Sequence, residues 1–290
     1  MEAVAQVVVS GLLMGLIYAL IAAGLSLIFG LMDVVNFAHG EFLMVAMYAT
    51  FGLHLLLTVD PLLLLPIVVV FMIVFGMVVY RLFVRRAMQA KSNVWMAQIF
   101  VTFGLAIMLR GLAQFIFTPD YRSIGGTWLG DRTVHLFGVF MPAAQLAAAG
   151  VCVLAFIGLY LLISRTDFGR ALEATREDSE AVALVGIDRN VIFAMGWGLG
   201  GAAVGIAGVM LASFYYIYPG VGATFVLTAF VTVALGGFGS LPGALVGGII
   251  IGLVEALTAF FVDPSLKSIG IYVVYLLVVL LRPRGLLGSF

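Results

Sequence analysis

Asn36, His39 and Glu41 stand within six positions in VVNFAHGEFLM (residues 34–44), in a chain that carries few polar side chains. An amide, an imidazole and a carboxylate so close together are raw material for a metal site, a proton relay, a catalytic centre or a polar solute path. A metal site is disfavoured, because one His and one Glu two positions apart, without a third ligand, do not make a coordination set. A relay would need more intramembrane carboxylates than the chain offers. An enzyme centred on His39 and Glu41 lacks a nucleophile or metal constellation. Two readings stay open: the three residues touch a solute, or they serve a helix boundary. In the second, Gly40 interrupts a helix, Asn36 and His39 satisfy the freed backbone groups, and Glu41 reaches the interface or caps the next helix.

Two other stretches invite the same question. Glu255 is the single carboxylate deep inside an apolar run, GGIIIGLVEALTAFF, where an unpaired charge costs about 2.5–3.5 kcal/mol at a bilayer centre. It must therefore face protein or a water-filled cavity, as a packing partner or beside a path. The block Gly236, Gly237, Gly239, Pro242, Gly243, Gly247, Gly248, Gly252 divides in two. Its second half spaces small residues four apart, which lets helix backbones approach closely. Its first half, GGFGSLPG, cannot be regular helix and predicts a sharp turn, either a hinge or path lining or a simple connection.

The elements that must position these groups are membrane-spanning. Apolar residues make up 64% of 290 positions and charged residues 10%, against about 25% charged in a soluble domain. The fold class is an all-α polytopic membrane protein in a single transmembrane domain over 1–290. Nine apolar segments are predicted, near 7–30, 41–58, 62–80, 93–117, 138–163, 190–214, 223–238, 245–262 and 268–281; those at 223–238 and 268–281 are short, so one of them could be re-entrant. Basic residues cluster in a loop with Arg81, Arg85, Arg86 and Lys91, in a second with Arg165, Arg170, Arg176 and Arg189, and at Arg282 and Arg284. Nine crossings place all three on one side, the cytoplasm by the positive-inside rule, with the N-terminus outside. Arg122, Arg132 and Lys267 then lie outside and Arg110 near the outer end of a span. No cleavable leader is read at the N-terminus. Cys152, the one cysteine, reads as packing. Zero net charge implies no nucleic-acid partner.

Residues 165–189 hold ten of the twenty-eight formal charges. Good helix formers from Arg170 to Val185, followed by Gly186, predict one amphipathic helix with a glycine cap. Ala174, Ala181 and Val185 share a face, and Glu173/Arg176 and Arg176/Glu180 are spaced for surface ion pairs. Glu173, Glu177, Asp178 and Glu180 would be repelled by anionic lipid, so a socket on a soluble partner suits this helix better than a headgroup layer. Further out, FYYIYPGVG (Phe214–Gly222) reads as an interfacial aromatic belt or an outer gate. The outer loop 118–137, with Asp120, Arg122, Asp131 and Arg132, is either solvated or a docking surface for a soluble protein.

Taken together, GRALEATREDSEAVALVGI (Gly169–Ile187), NFAHGE (Asn36–Glu41), ALGGFGSLPGALVGGIIIGLVEAL (Ala234–Leu257) and RPRGLLG (Arg282–Gly288) are spread over most of the chain. In them the chain resembles the permease subunits of ABC importers of the branched-chain amino acid type, the hydrophobic amino acid uptake family. Val182 departs from relatives that carry a second Ala after Ala181, which leaves the packing of the docking face open. The resemblance implies one of two membrane subunits of a bacterial inner-membrane importer, paired with a second related permease, two cytoplasmic ATPase subunits and a periplasmic solute-binding protein. It implies a non-enzymatic subunit with no cofactor of its own, ATP being bound by the partners. Consistently, no G-x-x-x-x-G-K-[ST] loop occurs, and Lys91 and Lys267 lie in no Gly-rich context. The ATPase-coupling residues would be Arg170, Glu173, Arg176, Glu177, Asp178 and Gly186, within a coupling segment at 165–189. Candidates for the translocation path or its hinge are Asn36, His39, Glu41, Gly236, Gly237, Gly239 and Glu255. The solute would be an amino acid or a related small compound. A self-sufficient carrier or channel is the competing reading; the scarcity of intramembrane ionisable groups and the large polar segment stand against it.

Overall fold

A computed structural model describes residues 2–90, 93–130, 132–136, 138–178 and 181–288. Lys91, Asp131 and Glu180, which enter the charge arguments above, lie outside the described residues. In chain order the elements are α1 (Glu2–Met32), α2 (His39–Leu57), α3 (Pro61–Val79), a π-helical turn (Tyr80–Val84) running into α4 (Arg85–Met88), and α5 (Val94–Phe117). A hairpin of β1 (Thr133–Leu136) and β2 (Val139–Pro142) follows, then α6 (Ala143–Arg165), α7 (Asp167–Glu177), α8 (Ala181–Leu184) and α9 (Arg189–Ala212). The chain ends with α10 (Val221–Gly236), α11 (Leu241–Phe261), a 3-10 turn (Pro264–Leu266) and α12 (Lys267–Leu281). Among the described residues eight helical stretches are long and apolar enough to cross a bilayer, and α10 is a shorter apolar helix. The chain is thus an all-α polytopic membrane protein, with each of the nine predicted segments realised as a helix.

Local chemistry sets the boundaries. Asp60, Asn93, Asp188 and Ser240 cap α3, α5, α9 and α11, each side chain accepting a backbone N–H in the first turn, where four N–H groups have no helical partner. The predicted segment 138–163 begins too early: Val139–Pro142 pairs with Thr133–Leu136 across a turn where Gly138 takes φ +79°. Gln6 holds that strand to the start of α1 by bonding both the N–H and the carbonyl of Phe140, at 2.7 and 2.5 Å. Arg81, Arg85 and Arg86 are not in a loop, because α3 continues unbroken through Met88.

Helix α1 is the axle of the fold. It runs antiparallel to α11, with Gly11 and Gly15 against the backbone at Gly252 and Gly248, and it meets α9 where Gly24 abuts Gly200. The two faces of the glycine block in α11 separate as small-residue spacing requires: Gly248 and Gly252 receive α1, while Gly243 and Gly247 receive α10 at Gly236 and Thr232. On the far side α3 packs on α9, Gly76 resting on the Trp197 carbonyl. Outward faces of α3, α5 and α12 carry Phe71, Phe100, Phe103, Leu276 and Leu280 exposed, an apolar belt suited to lipid.

The three arginine groups converge at one end. Arg85, Arg176 and Arg189 line a single cleft with Asp33. The C-terminal segment closes on the same end, where Leu286 and Leu287 N–H groups donate to the carbonyls of Leu235 and Gly236 at 2.8 and 2.9 Å. Gly237 (φ +104°) and Gly239 (φ +78°) make the sharp turn there, and Gly239 touches Gly30 near the end of α1.

Candidate functional site

Helix α2 does not begin where α1 ends. After Asp33 (φ +50°) the chain folds back without helix, and His39 arrives beside the middle of α1, its Nε2 2.9 Å from the Ile21 carbonyl. A carbonyl only accepts, so Nε2 carries the proton. Asn36 Oδ1 accepts the Ala38 N–H at 3.1 Å. Both residues are fully buried; Asn36 satisfies a backbone group at the interruption, which is at 33–38 and not at Gly40, whereas His39 bonds a carbonyl inside the unbroken helix α1 and not one freed at a break. Gly40 lies inside the first turn of α2, where it presses on Gly222 in the first turn of α10; a Cβ at either glycine would overlap the other's backbone. Two helices thus start face to face about halfway through the fold.

Glu41 neither reaches the interface nor caps α2, the two roles the boundary reading offers it. Its side chain is 2% exposed and forms an ion pair with Arg110 of α5, whose side chain is 39% exposed. Burial without a partner would be prohibitive, and Arg110 supplies the partner. Glu41 Oε2, Asn36 Nδ2 and His39 Nδ1 have no hydrogen-bond partner among the described residues.

Across the first turns of α10 lies a cavity of about 560 Å³, between α1, α6, α10, α11 and α12. Glu255 opens onto it. Its Oε2 accepts from Tyr18 Oη at 2.6 Å and its Oε1 meets Lys267 Nζ at 2.8 Å. Tyr215, Thr224 and Thr228 add hydroxyls, and Met14, Phe225, Leu227 and Ile271 an apolar wall. Of the tyrosines read as an interfacial belt, Tyr215 lines this cavity, Tyr216 is exposed, and Tyr218 packs on Tyr121 with ring centroids 4.6 Å apart. The outer loop is pinned there: Arg122 and Ile217 exchange backbone hydrogen bonds at 2.9 and 2.8 Å, and the Arg122 guanidinium lies 5.5 Å from the Phe51 ring centroid.

The polar segment at the arginine-rich end is two helices. Asp178 divides them, closing α7 through its N–H to the Ala174 carbonyl and capping α8 through its carboxylate to the Ala181 N–H at 2.9 Å. A short carboxylate prefers such caps to a helix interior. Gly186 ends α8 as predicted, at φ +85°, with Ile187 N–H reaching the Val182 carbonyl at 3.1 Å in a Schellman arrangement. The face that packs inward is Leu172, Thr175 and Val182; Ala174, Ala181 and Val185 are exposed, with Leu184 beside them. Glu173, Arg176 and Glu177 point outward, and Arg170 pairs with Asp167. Nearby, the Asn190 N–H holds the Asp188 carboxyl below the usual carboxylate range.

The structure therefore brings Asn36, His39, Glu41 and Glu255 to neighbouring depths on either side of α10, while Gly236, Gly237 and Gly239 sit at the arginine-rich end, about 21 Å along α11 from Glu255 at 1.5 Å per residue. Three partners were not singled out from the sequence: Arg110, Lys267 and Tyr18. Arg110 is the one charge in the apolar run 93–117, and the rule that sends Glu255 looking for a partner applies equally to it.

Residues 7–280 match the family described as branched-chain amino acid transport system, permease component. The chain is 32% identical to the high-affinity branched-chain amino acid transport system permease protein BraD of Pseudomonas aeruginosa, over 98% of this chain and 95% of that protein. It is 29% identical to the permease protein LivH of the corresponding high-affinity system of Escherichia coli K12, with the same coverage. A probable branched-chain amino acid transport permease, LivH of Methanocaldococcus jannaschii, is 28% identical over 93% of this chain and 88% of its own length.

Proposed function

The chain belongs to the family of branched-chain amino acid transport system permease components, and from that premise we propose that it forms the membrane path of an ATP-driven importer of branched-chain amino acids. The observation that carries this reading is the near-complete coverage of this chain and of its relatives. The chain is a transport subunit of a bacterial inner membrane and hydrolyses nothing itself. ATP binds to two cytoplasmic ATPase subunits, a second permease completes the membrane part, and a periplasmic solute-binding protein delivers the solute. The chain needs no cofactor.

The arginine-rich end is the cytoplasmic one under the positive-inside rule, which sets the start of α1 in the periplasm. α7 and α8 then project toward the ATPases, with Arg170, Glu173, Arg176, Glu177 and Asp178 on the polar surface, Gly186 closing the unit, and Leu184 and Val185 as its apolar tip. The path runs beside α10. Asn36, His39, Glu41 and Glu255 flank its upper half, and Gly236, Gly237 and Gly239 form the turn on which it would pivot.

Purification of the tagged chain from its native membrane in mild detergent, followed by mass spectrometry, tests this. Two ATPases and a second permease should remain bound, and uptake in vesicles should stop without ATP. A chain recovered alone, under conditions where a known importer stays intact, together with ATP-independent uptake, would replace the reading with a self-sufficient carrier.

A further inference from the structure

Resting on the importer reading, we propose that Glu255 and Lys267 form the membrane site that holds the amino-acid zwitterion, the solute's ammonium group against Glu255 and its carboxylate against Lys267. The competing explanation is a tether, because the pair joins α11 to α12 across the turn at Pro264–Leu266.

Four observations favour the site. Both charges line a cavity of about 560 Å³, within the range of small-ligand sites, about 300–1,000 Å³. Lys267 is 45% exposed, far more than a fastening group in a packed core, whereas Glu255 is 14% exposed and aimed into the same space. Glu255 also has a second partner: Tyr18 donates to its other oxygen at 2.6 Å, so the carboxylate keeps a hydrogen bond when Lys267 turns away. The apolar wall of Met14, Phe225, Leu227 and Ile271 gives an aliphatic side chain a surface to lie on, while Thr224 and Thr228 offer hydroxyls at the edge.

Charge balance explains why the pair suits this class of solute. A zwitterion entering between the two groups turns one ion pair into two, in the order carboxylate, ammonium, carboxylate, ammonium. Net charge in the cavity is zero before and after. An acid alone would leave the 14% exposed Glu255 without its charge partner, which is costly, and an amine alone would leave Lys267, 45% exposed, unpaired at a smaller cost. The site thus selects for the pair of charges common to all amino acids and leaves side-chain choice to the apolar wall and to the delivering protein.

The test is uptake of radiolabelled leucine by the complete assembly in proteoliposomes, at saturating solute-binding protein, with ATP hydrolysis recorded alongside. Glu255→Gln and Lys267→Met should each lower uptake at least tenfold while delivery of loaded binding protein still stimulates hydrolysis. The double variant, which leaves no lone charge, should remain at least tenfold down. Recovery of the double variant to within twofold of the parent would overturn the proposal in favour of a tether. Lys267→Arg keeps the charge and the link for cases where larger changes prevent assembly: a site should show leucine moved per ATP hydrolysed lowered at least fivefold, and an unchanged ratio would equally overturn it. Failure of the importer reading looks different, since the unaltered protein would then transport without ATP.

Discussion

Arg110→Met and Glu41→Gln remove the same ion pair and should have unequal costs. Glu41 is 2% exposed and Arg110 39%. Arg110→Met strands a carboxylate in protein, and breaking a buried pair this way costs about 3–5 kcal/mol. Glu41→Gln strands a guanidinium that already touches solvent and still has an amide oxygen to bond, so the cost falls to about 1–2 kcal/mol after allowance for screening. The double variant, neutral on both sides, should regain at least half of the Arg110→Met loss. Cys152 gives the readout, because it is the one cysteine in the sequence and is buried. Heating the purified assembly with a thiol reagent and following the mass of this chain yields an unfolding midpoint. Equal shifts for the two single variants, or a double variant below Arg110→Met, would refute the argument from unequal burial.

Gly40→Ala should disrupt the contact of α2 with α10 and cost about 1–3 kcal/mol or more, as overpacking does, while Gly111→Ala, which meets nothing within 4 Å, should be neutral or gain up to about 1 kcal/mol; the same midpoint compares them. Leu184→Asp, at a position 89% exposed, should leave the fold unchanged and reduce ATPase co-purification, as should Glu177→Arg; full retention in both would remove α7 and α8 from the ATPase contact. Asp188→Ala should lower heat tolerance at neutral pH. Because the folded-state carboxyl is held low, chiefly by the Asn190 N–H, that contribution is present above about pH 4 and fades as pH falls through the folded-state value. A deficit that persists under strong acid would contradict the capping role.

Much of the frame was legible because hydrophobic runs and caps are local signals. The nine segments, the turn at Gly236–Gly239, the αL cap at Gly186 and the spacing of glycines in α11 all follow from residues within one or two turns of each other. What escaped was set by distant chain. Glycine reads the same whether it breaks a helix or admits a neighbour, so Gly40 was assigned to a break when Gly222, far along the chain, explains it. The boundary reading sends Glu41 to the interface or to a cap because it takes the end of α1 for the start of α2; six residues of non-helical chain carry it back to mid-depth. Asp178 shows the opposite failure, a local cap overlooked because the helix formers on both sides outvoted it. For the site, Glu255 was found by its cost in lipid, but which groups answer that cost depends on how α1 and α12 pack.

The face-to-face start of α2 and α10 has a consequence for biogenesis. His39 and Asn36 have their bonding partners at Ile21 and Ala38 close by in the chain, but Glu41 emerges from the ribosome long before the groups that shelter it: at ~5–20 residues per second, Arg110 follows Glu41 after ~3–14 s and Gly222 after ~9–36 s. Throughout that interval a nascent polar elbow has no finished protein around it, and lipid is a poor host for it. The elbow should therefore linger beside the insertion machinery until α9 and α10 arrive, and arrested chains ending before residue 222 should crosslink there from position 37 while longer chains do not. Release of the first two helices is, on this view, a late event governed by the last third of the chain.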